Sequence, residues 1–212
     1  MIDILYCDEK LVVCIKPPRI LSTDEPGGLP ELLRNQMGTD NFRTVHRLDR
    51  VVGGLMVLAR TSRAASDLSK QVMDSSFGKH YLAIIHGHPR DDCGTFTDLL
   101  IRDKAQRKTY VTQTPGKDAQ EASLNYRVLG CKDGVSLVSI DLITGRTHQI
   151  RAQFSSRGMP LLGDKKYGIP DSAEDIALWS SRICFSHPKT GQPMEFTASP
   201  PMTYPWSEFE IF

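Results

Sequence analysis

Alternating apolar and polar positions predict a series of short β-strands along this chain of 212 residues. The alternation is clearest where Leu124, Tyr126 and Val128 share one face of a strand, and it returns at residues 138–142. A period of two places successive side chains on opposite faces of a sheet, which is typical of strands buried on one side. Further strands are predicted at residues 4–6, 11–15, 55–59, 79–86 and 183–185.

Helical spacing of apolar residues predicts three helices. One is expected over residues 30–37, where a proline suits the first turn. A second has its N-cap at Thr61 or Ser62 and ends near Met73. A third contains residues 150–154 and stops at the glycine that follows.

The order of these elements indicates an α+β fold with a mixed, mainly antiparallel sheet flanked by helices. Residues 90–121 are polar and show no clear period, so irregular structure is expected there. A proline-rich end follows the last predicted strand. The length suits a single domain over residues 1–212.

Composition narrows the class of protein only in part. The net charge of +1 neither favours nor excludes a nucleic-acid partner, so such binding would need a local basic patch. Five cysteines stand far apart without a Cys-x-x-Cys pair, which argues against a zinc site or a disulfide framework. The sequence shows neither a secretory signal nor an apolar run that could span a bilayer. We therefore expect a cytoplasmic protein without a membrane partner.

The segment with the strongest chemical signal comprises residues 46–54. Asp49 lies there between Arg47 and Arg50, in a glycine-rich turn that leads into an apolar strand. Nearby cations keep a carboxylate ionised, as a nucleophile or a cation-stabilising group requires. Taken alone, the same pattern also fits a structural ion pair.

Two further segments carry polar groups suited to a site. Tyr81 lies on a predicted strand beside two basic residues, although a tyrosine on a strand is most often a core residue. Arg146 follows Gly145, and this turn would let its guanidinium reach Asp49 and bind it bidentately. The simpler alternative is that Arg146 and Arg151 cap or solvate a helix.

Other polar clusters are open to ordinary interpretations. His86 and His88 could ligate a metal at a strand end, but no third ligand is evident and loop histidines are the simpler interpretation. Two basic groups could contact phosphates, although such groups are usually solvated. They comprise Arg43, Arg47, Arg50, Arg60 and Arg63 around the first segment, and Arg102, Lys104, Arg107 and Lys108 in the middle of the chain.

The sequence resembles the RluA-type RNA pseudouridine synthases over nearly its whole length. The resemblance rests on six short motifs in the family's order, and a set of that size rarely arises by chance. They are Lys16-Pro17, His46-Arg47-Leu48-Asp49-Arg50 with Gly54-Leu55, Lys79-x-Tyr81-x-Ala83 with Gly87, Gly145-Arg146-Thr147-His148-Gln149-Ile150-Arg151, Gly163-Asp164 with Tyr167-Gly168, and Phe185-x-His187-Pro188.

The resemblance implies a pseudouridine synthase fold with a central active-site cleft, and it gives several residues a role. Asp49 would be the nucleophile that detaches uracil from its ribose. Tyr81 would stack on the flipped base and assist removal of the C5 proton, and Arg146 would pair with Asp49. Arg47 would help to displace the target nucleotide, and Ile150 would supply apolar contact near the base.

Four more motif residues are expected to bind the substrate RNA, namely His46, Arg50, His148 and Arg151, with the two histidines acting as hydrogen-bonding supports rather than as general bases. Uridine and pseudouridine are isomers, so neither a cofactor nor a metal is expected. The implied partner is a structured rRNA or tRNA, and the protein is expected to be a monomer. The S4-like N-terminal RNA-binding domain of many relatives is expected to be absent.

Two positions depart from the family pattern. Val52-Gly53 stands where the family usually has Thr-Ser, and Trp179 stands where it often has histidine. These changes put substrate contacts in question more than the chemistry.

Two rival functions remain open from the sequence. A non-catalytic RNA-binding or folding factor could use the same scaffold, although the Asp, Tyr and Arg set argues against it. A nucleoside or glycoside hydrolase usually needs two carboxylates, and no second one is evident in the three segments.

Overall fold

The computed structural model describes residues 1–39 and 41–210, which cluster into two compact units. Unit 1 comprises residues 1–39, 41–79 and 179–200, and unit 2 comprises residues 80–178 and 201–210. Within these described residues, no helix is long and apolar enough to cross a membrane. The assignment of the chain to one catalytic domain stays a prediction.

The secondary structure consists of short strands with a few helices between them. The helices are α1 (Leu29–Met37), α2 (Ser62–Met73) and α3 (Gln149–Ser155), with a 3₁₀ turn at Trp206–Glu208. The strands are β1 (Asp3–Cys7), β2 (Leu11–Lys16), β3 (Arg43–Thr44), β4 (Gly53–Ala59), β5 (Gly78–His86), β6 (Cys93–Asp103), β7 (Lys108–Thr112), β8 (Gln120–Lys132), β9 (Val135–Leu142), β10 (Leu178–Ser186) and β11 (Pro193–Thr197).

The sheet of unit 1 has the order β1-β2-β4-β10, with β3 paired to β4 and β11 paired to β10. Its ladders are antiparallel except for β4 and β10, which run parallel through the pairs Trp179–Gly53 and Ser180–Gly54. Every residue of β4 is buried, as expected for a central strand covered on both faces.

Helix α2 covers this sheet with its apolar stripe. Its N-cap is Thr61, whose hydroxyl oxygen accepts the Ala64 N–H at 3.1 Å and so satisfies an otherwise unpaired donor of the first turn. Ala64 and Leu68 are buried in one cluster with Leu55 and Val57 of β4. Burial of a side chain such as Leu68 contributes about 1.5–3 kcal/mol to folding.

Unit 2 is an antiparallel sheet of order β5-β9-β8-β6-β7, packed against α3. Phe96 of β6, Tyr126 of β8 and Phe154 of α3 pack together, with ring centroids 4.7–6.0 Å apart. Such offset and edge-on contacts are favourable for aromatic rings.

The α+β class and the mixed, mainly antiparallel sheet are confirmed, but one local expectation is wrong. Residues 90–121 are not irregular, because they contain β6 and β7. In these strands only Phe96, Leu100 and Thr109 are buried, so the apolar face is short. The proline-rich end contains β11, where Pro193 occupies the first position of an edge strand.

Candidate active site

Asp49 lies half-buried in the loop that leads into β4 of unit 1. The Val52 N–H donates to the Asp49 carbonyl at 3.0 Å and closes the turn. Just before it, the Ser22 hydroxyl donates to the Leu48 carbonyl at 2.8 Å and accepts the Leu48 N–H at 3.1 Å. The backbone on both sides of the carboxylate is therefore fixed by hydrogen bonds.

Lys16 anchors the same loop through a fully buried ammonium group. Its Nζ donates to the carbonyls of Pro17 and Ile20, each at 2.8 Å, and to that of Arg50 at 3.3 Å. Burial lowers the pKa of Lys16 to about 8, while the negative charge of Asp49 acts in the opposite direction. A cation thus lies close to Asp49 inside the protein. In the sequence, this buried cation is visible as Lys16 at the end of the apolar run of β2.

His46 supports the loop from the interior. Its Nε2 accepts the Val57 N–H at 3.1 Å, and its ring lies 5.1 Å from that of Phe77. Burial, together with a smaller effect from the charge of Lys79, lowers the pKa of His46 to about 3, so the ring is neutral. This burial argues against the RNA contact predicted for His46, and we assign the side chain to structural support.

The two arginines next to Asp49 lie on the surface. Arg47 and Arg50 are both exposed, and the Arg50 Nε donates to the Arg19 carbonyl at 3.0 Å. Exposed guanidinium groups beside Asp49 are available to phosphate oxygens.

The two departures from the family pattern are in direct contact. A Cβ atom on Gly53 would lie 2.5 Å from Cζ3 and 3.0 Å from Cε3 of Trp179. The indole therefore occupies the space that a serine side chain at position 53 would need. The Trp179 Nε1 donates to the Ala198 carbonyl at 2.9 Å, which fixes the ring in that place. Gly54 follows at φ +117°, where a side chain would also meet the backbone of Ser180.

In unit 2, Tyr81 is a largely buried residue of β5 and pairs in register with Ile140 of β9. The next pair in the ladder, His80 and Asp141, is joined through the His80 Nδ1 and the Asp141 carboxylate. Strand alternation places these two pairs on opposite faces of the sheet.

Arg146 lies in the turn before α3 and is exposed. Its Nε donates to the Glu121 carbonyl at 2.9 Å, and its backbone N–H donates to Gln149 Oε1 at 3.0 Å. The same Gln149 oxygen accepts the Thr144 hydroxyl at 2.8 Å, and the Gln149 Nε2 donates to the Ser123 carbonyl at 3.0 Å. Gln149 is therefore the positioning residue of this turn, which sequence reasoning missed although it lies inside the motif.

His148 and Ile150 lie on either side of this glutamine in the sequence, and their side chains have different surroundings. His148 adopts a left-handed conformation with φ 55°, and its Nδ1 lies 2.8 Å from the Tyr167 hydroxyl. That hydroxyl accepts the Thr109 N–H at 2.6 Å, so we assign its own proton to the bond with His148. Ile150 is buried.

Arg151 forms a buried ion pair with Asp164. Its Nε and Nη2 each donate to a carboxylate oxygen at 2.7 Å, and its guanidinium lies 5.0 Å from the centre of the Tyr167 ring. The Arg151 side chain is 6% exposed and that of Asp164 is fully buried. This geometry argues against both helix solvation and RNA contact, and we assign Arg151 to the anchoring of α3.

The structure thus brings His46, Asp49 and Arg50 into one loop of unit 1, and it places Tyr81 and Arg146 in unit 2. Convergence of Asp49, Tyr81 and Arg146 on one base stays a prediction. Among the residues that the structure describes, no group of three or more His, Cys, Asp or Glu side chains is arranged to hold a metal ion.

Comparison with known proteins gives consistent matches. A sequence profile of the family described as RNA pseudouridylate synthase matches residues 10–156. The dual-specificity RNA pseudouridine synthase RluA of Yersinia pestis is 35% identical over 203 residues, which cover 91% of this chain and 96% of that protein. The ribosomal large subunit pseudouridine synthase D of Zymomonas mobilis is 31% identical over 222 residues, covering 94% of this chain and 69% of that protein.

A solved structure shows the same fold. Human RNA Pseudouridylate Synthase Domain Containing 1 has a TM-score of 0.82 at 23% identity, covering 96% of this chain and 85% of that chain. The pseudouridine synthase fold expected from the motifs is therefore confirmed. The matched profile and the relatives together show that this chain belongs to the RNA pseudouridylate synthase family, among its RluA-type members, and isomerises uridine to pseudouridine in RNA.

Proposed function

We propose that Asp49 is the nucleophile of this isomerisation. In the reaction, the bond between ribose C1′ and uracil N1 breaks, the base turns, and a bond between C1′ and C5 forms. The proton leaves C5 and N1 gains one, so no redox partner is required. An ionised carboxylate can add covalently and leave again, or can stabilise cationic character at the sugar.

The surroundings of Asp49 support this role. Its backbone is fixed by the Ser22 and Val52 hydrogen bonds, and the buried Lys16 ammonium lies close to it. A fixed loop costs little reorganisation when the substrate arrives, and a nearby cation favours the charged carboxylate. The presence of Asp49 within the family motif, in a loop that the protein holds rigidly, is the observation that carries the proposal.

We assign the base-facing roles to residues of unit 2. Tyr81 would stack on the detached uracil, since an aromatic face lets a base rotate more freely than a fixed set of hydrogen bonds does. It would also assist removal of the C5 proton. Arg146 would pair with Asp49 through its guanidinium, and Ile150 would supply apolar contact. His148, held by Tyr167, would support this surface.

RNA binding must offset the cost of extruding the target base, which is roughly a few kcal/mol. Arg47 and Arg50 would contact phosphates next to the flipped nucleotide. The exposed Arg102 and Arg107, at the tip of the β6–β7 hairpin, would contact phosphates farther along the RNA. Each such contact contributes affinity that falls as salt rises.

The proposed substrate is structured ribosomal RNA, with transfer RNA as the second candidate. Support for ribosomal RNA comes from the relative named ribosomal large subunit pseudouridine synthase D. The protein is proposed to act in the cytoplasm, as a monomer, through a single catalytic domain. Pseudouridine mapping of both RNA classes from a deletion strain and its parent distinguishes the two substrates.

The central test is Asp49→Asn, assayed by tritium release from RNA labelled at uracil C5. The amide cannot act as a nucleophile, so we expect no release while RNA binding and the thermal unfolding temperature stay close to those of the original protein. Asp118→Asn serves as a control, because Asp118 is an exposed loop residue. Turnover by the Asp49→Asn protein at an undiminished rate would refute the assignment.

A product analysis tests the reaction class. The isomerase should release neither free uracil nor free sugar, whereas release of either one would favour a hydrolase. In the deletion strain, the Asp49→Asn protein should fail to restore the modification. Restoration of growth by that variant would instead support a non-catalytic RNA-binding role.

A further inference from the structure

A cysteine, a histidine and an aspartate lie next to one another, in that order, at the end of the unit 2 sheet where β5 ends. The sulfur of Cys131, in β8, lies 3.1 Å from the His88 Nδ1. The other ring nitrogen of His88, Nε2, lies 3.4 Å from Asp92 Oδ1. Cys131 is exposed, and the side chains of His88 and Asp92 are 47% and 82% exposed.

The backbone around these three side chains is held in place. Gly87 N–H donates to the Gly134 carbonyl at 2.8 Å, and the Ser136 hydroxyl donates to the Gly87 carbonyl at 2.7 Å. Ser136 is buried and pairs in register with Cys131. Both polar groups of Gly87 are thus bound to the β8–β9 hairpin, which fixes His88 beside the thiol.

The proton positions follow from these contacts. The Ser136 hydroxyl gives its proton to Gly87, so it cannot also donate to Cys131 or His88. A carboxylate accepts hydrogen bonds, so we assign the N–H of the neutral imidazole to Nε2, facing Asp92. Nδ1 is then left as the acceptor for the Cys131 S–H. Transfer of that proton gives a thiolate next to an imidazolium that Asp92 stabilises.

We propose that Cys131 is a reactive thiol that forms mixed disulfides with small-molecule disulfides, with His88 as its base and Asp92 as the residue that orients the ring. A nucleophile, a base and an orienting acid in sequence are the general arrangement of activated nucleophiles. The Cys131 thiolate attacks one sulfur of the disulfide, a new S–S bond forms and the old one breaks. The leaving thiolate takes up the proton from His88 or from water.

The other cysteines lie in different surroundings. Cys14 is buried in the β1–β2–β4 region, and burial raises its pKa to about 12, so it is inert. Cys7 and Cys93 are exposed like Cys131. Among the described contacts of these two, none joins the sulfur to a histidine ring. Cys93 is therefore the internal control for exposure without a base, whereas the Cys7 sulfur accepts the Arg60 Nη1–H at 3.4 Å.

The test is the reaction of the full-length protein with oxidised glutathione at neutral pH, with each modified cysteine located and timed by mass spectrometry. We expect Cys131 to react at least about threefold faster than Cys93 in the same sample. His88→Gln should lower the rate at Cys131 to that of Cys93, and Asp92→Asn should lower it in part. The matched control Asp91→Asn should leave it unchanged, since Asp91 contributes only its carbonyl to a described contact.

Two results would overturn the proposal. One is a Cys131 rate no higher than that of Cys93 in the unmodified protein. The other is an undiminished Cys131 rate in the His88→Gln protein, with thermal unfolding showing that this variant is folded. Neither result bears on pseudouridine formation, which uses other residues.

Discussion

Replacement of Gly53 by serine should destabilise the protein through a direct clash with Trp179. The new Cβ would lie 2.5 Å from Cζ3 of the indole and 3.1 Å from the Pro18 Cδ. The indole is also held by its bond to the Ala198 carbonyl, so it cannot turn away without losing that bond. Overpacking of this kind costs about 1–3 kcal/mol. For a chain of this size, the corresponding loss in Tm is about 2–12 °C.

Trp179→His provides the second half of the experiment. Alone, it removes buried aromatic surface and the hydrogen bond to Ala198, so it should also destabilise. Combined with Gly53→Ser, it opens the space that the serine needs, and the steric clash between the two side chains disappears. We therefore expect the double variant to be about 1–3 kcal/mol more stable than the sum of the single effects.

Thermal and urea unfolding of the four proteins measures this coupling. Gly116→Ser is the control, because no atom lies within 4 Å of the Cβ it would add, and it should change stability by less than about 0.5 kcal/mol. Strict additivity of the two substitutions would refute the steric reasoning. An unchanged Tm for Gly53→Ser alone would refute it as well.

The remaining predictions concern buried charges and titrating groups. The pKa of His46 is 6.5 in the unfolded chain and about 3 in the folded protein, so the unfolded chain binds more protons below pH 6.5. The free energy of unfolding should therefore fall by about 2 kcal/mol between pH 7 and pH 5 because of His46. The His46→Gln protein keeps an acceptor for the Val57 N–H and should not show this loss when urea unfolding is compared at the two pH values. An equal loss in both proteins would contradict the assignment of His46 as the titrating group. The pKa of Lys16 is about 8 in the folded protein and 10.5 in the unfolded chain. The free energy of unfolding should therefore rise by about 2 kcal/mol from pH 8 to pH 10, and this rise should be absent from the Lys16→Met protein. The same variant removes a cation near Asp49 and should lower kcat about tenfold, measured by tritium release; an unchanged kcat would separate Lys16 from the chemistry. Asp164→Asn removes the carboxylate charge that compensates the buried Arg151 guanidinium and should cost about 3–5 kcal/mol. The exposed-pair control Asp24→Asn should leave stability almost unchanged, and equal effects of the two substitutions in denaturant would contradict this reasoning.

Local pattern predicted the elements whose residues alternate or repeat strongly. The start of α2 followed from Thr61, and its end near Met73 is confirmed. The error at residues 90–121 arose because few residues of β6 and β7 are buried, so the alternation of apolar and polar positions there is weak. Strands of that kind are specified by the neighbours they pair with, and those neighbours are distant in sequence.

The site was predictable to the extent that short motifs carry it. Asp49, Tyr81 and Arg146 were named from their motifs, and their joint action stays a prediction. The contact between Gly53 and Trp179 could not be predicted, because it joins strands far apart in sequence. The ion pair of Arg151 with Asp164 joins α3 to a loop 13 residues along the chain, and no periodic pattern connects the two positions.

The parallel pairing of β4 with β10 has a consequence during protein synthesis. All of residues 80–178 must leave the ribosome before β10 can reach its neighbour, so the edge of the buried strand β4 at Gly53 and Gly54 stays open in the nascent chain. An open apolar edge is a template for pairing with other chains. Translation products that stop before Trp179 are therefore expected to aggregate or to be held by chaperones.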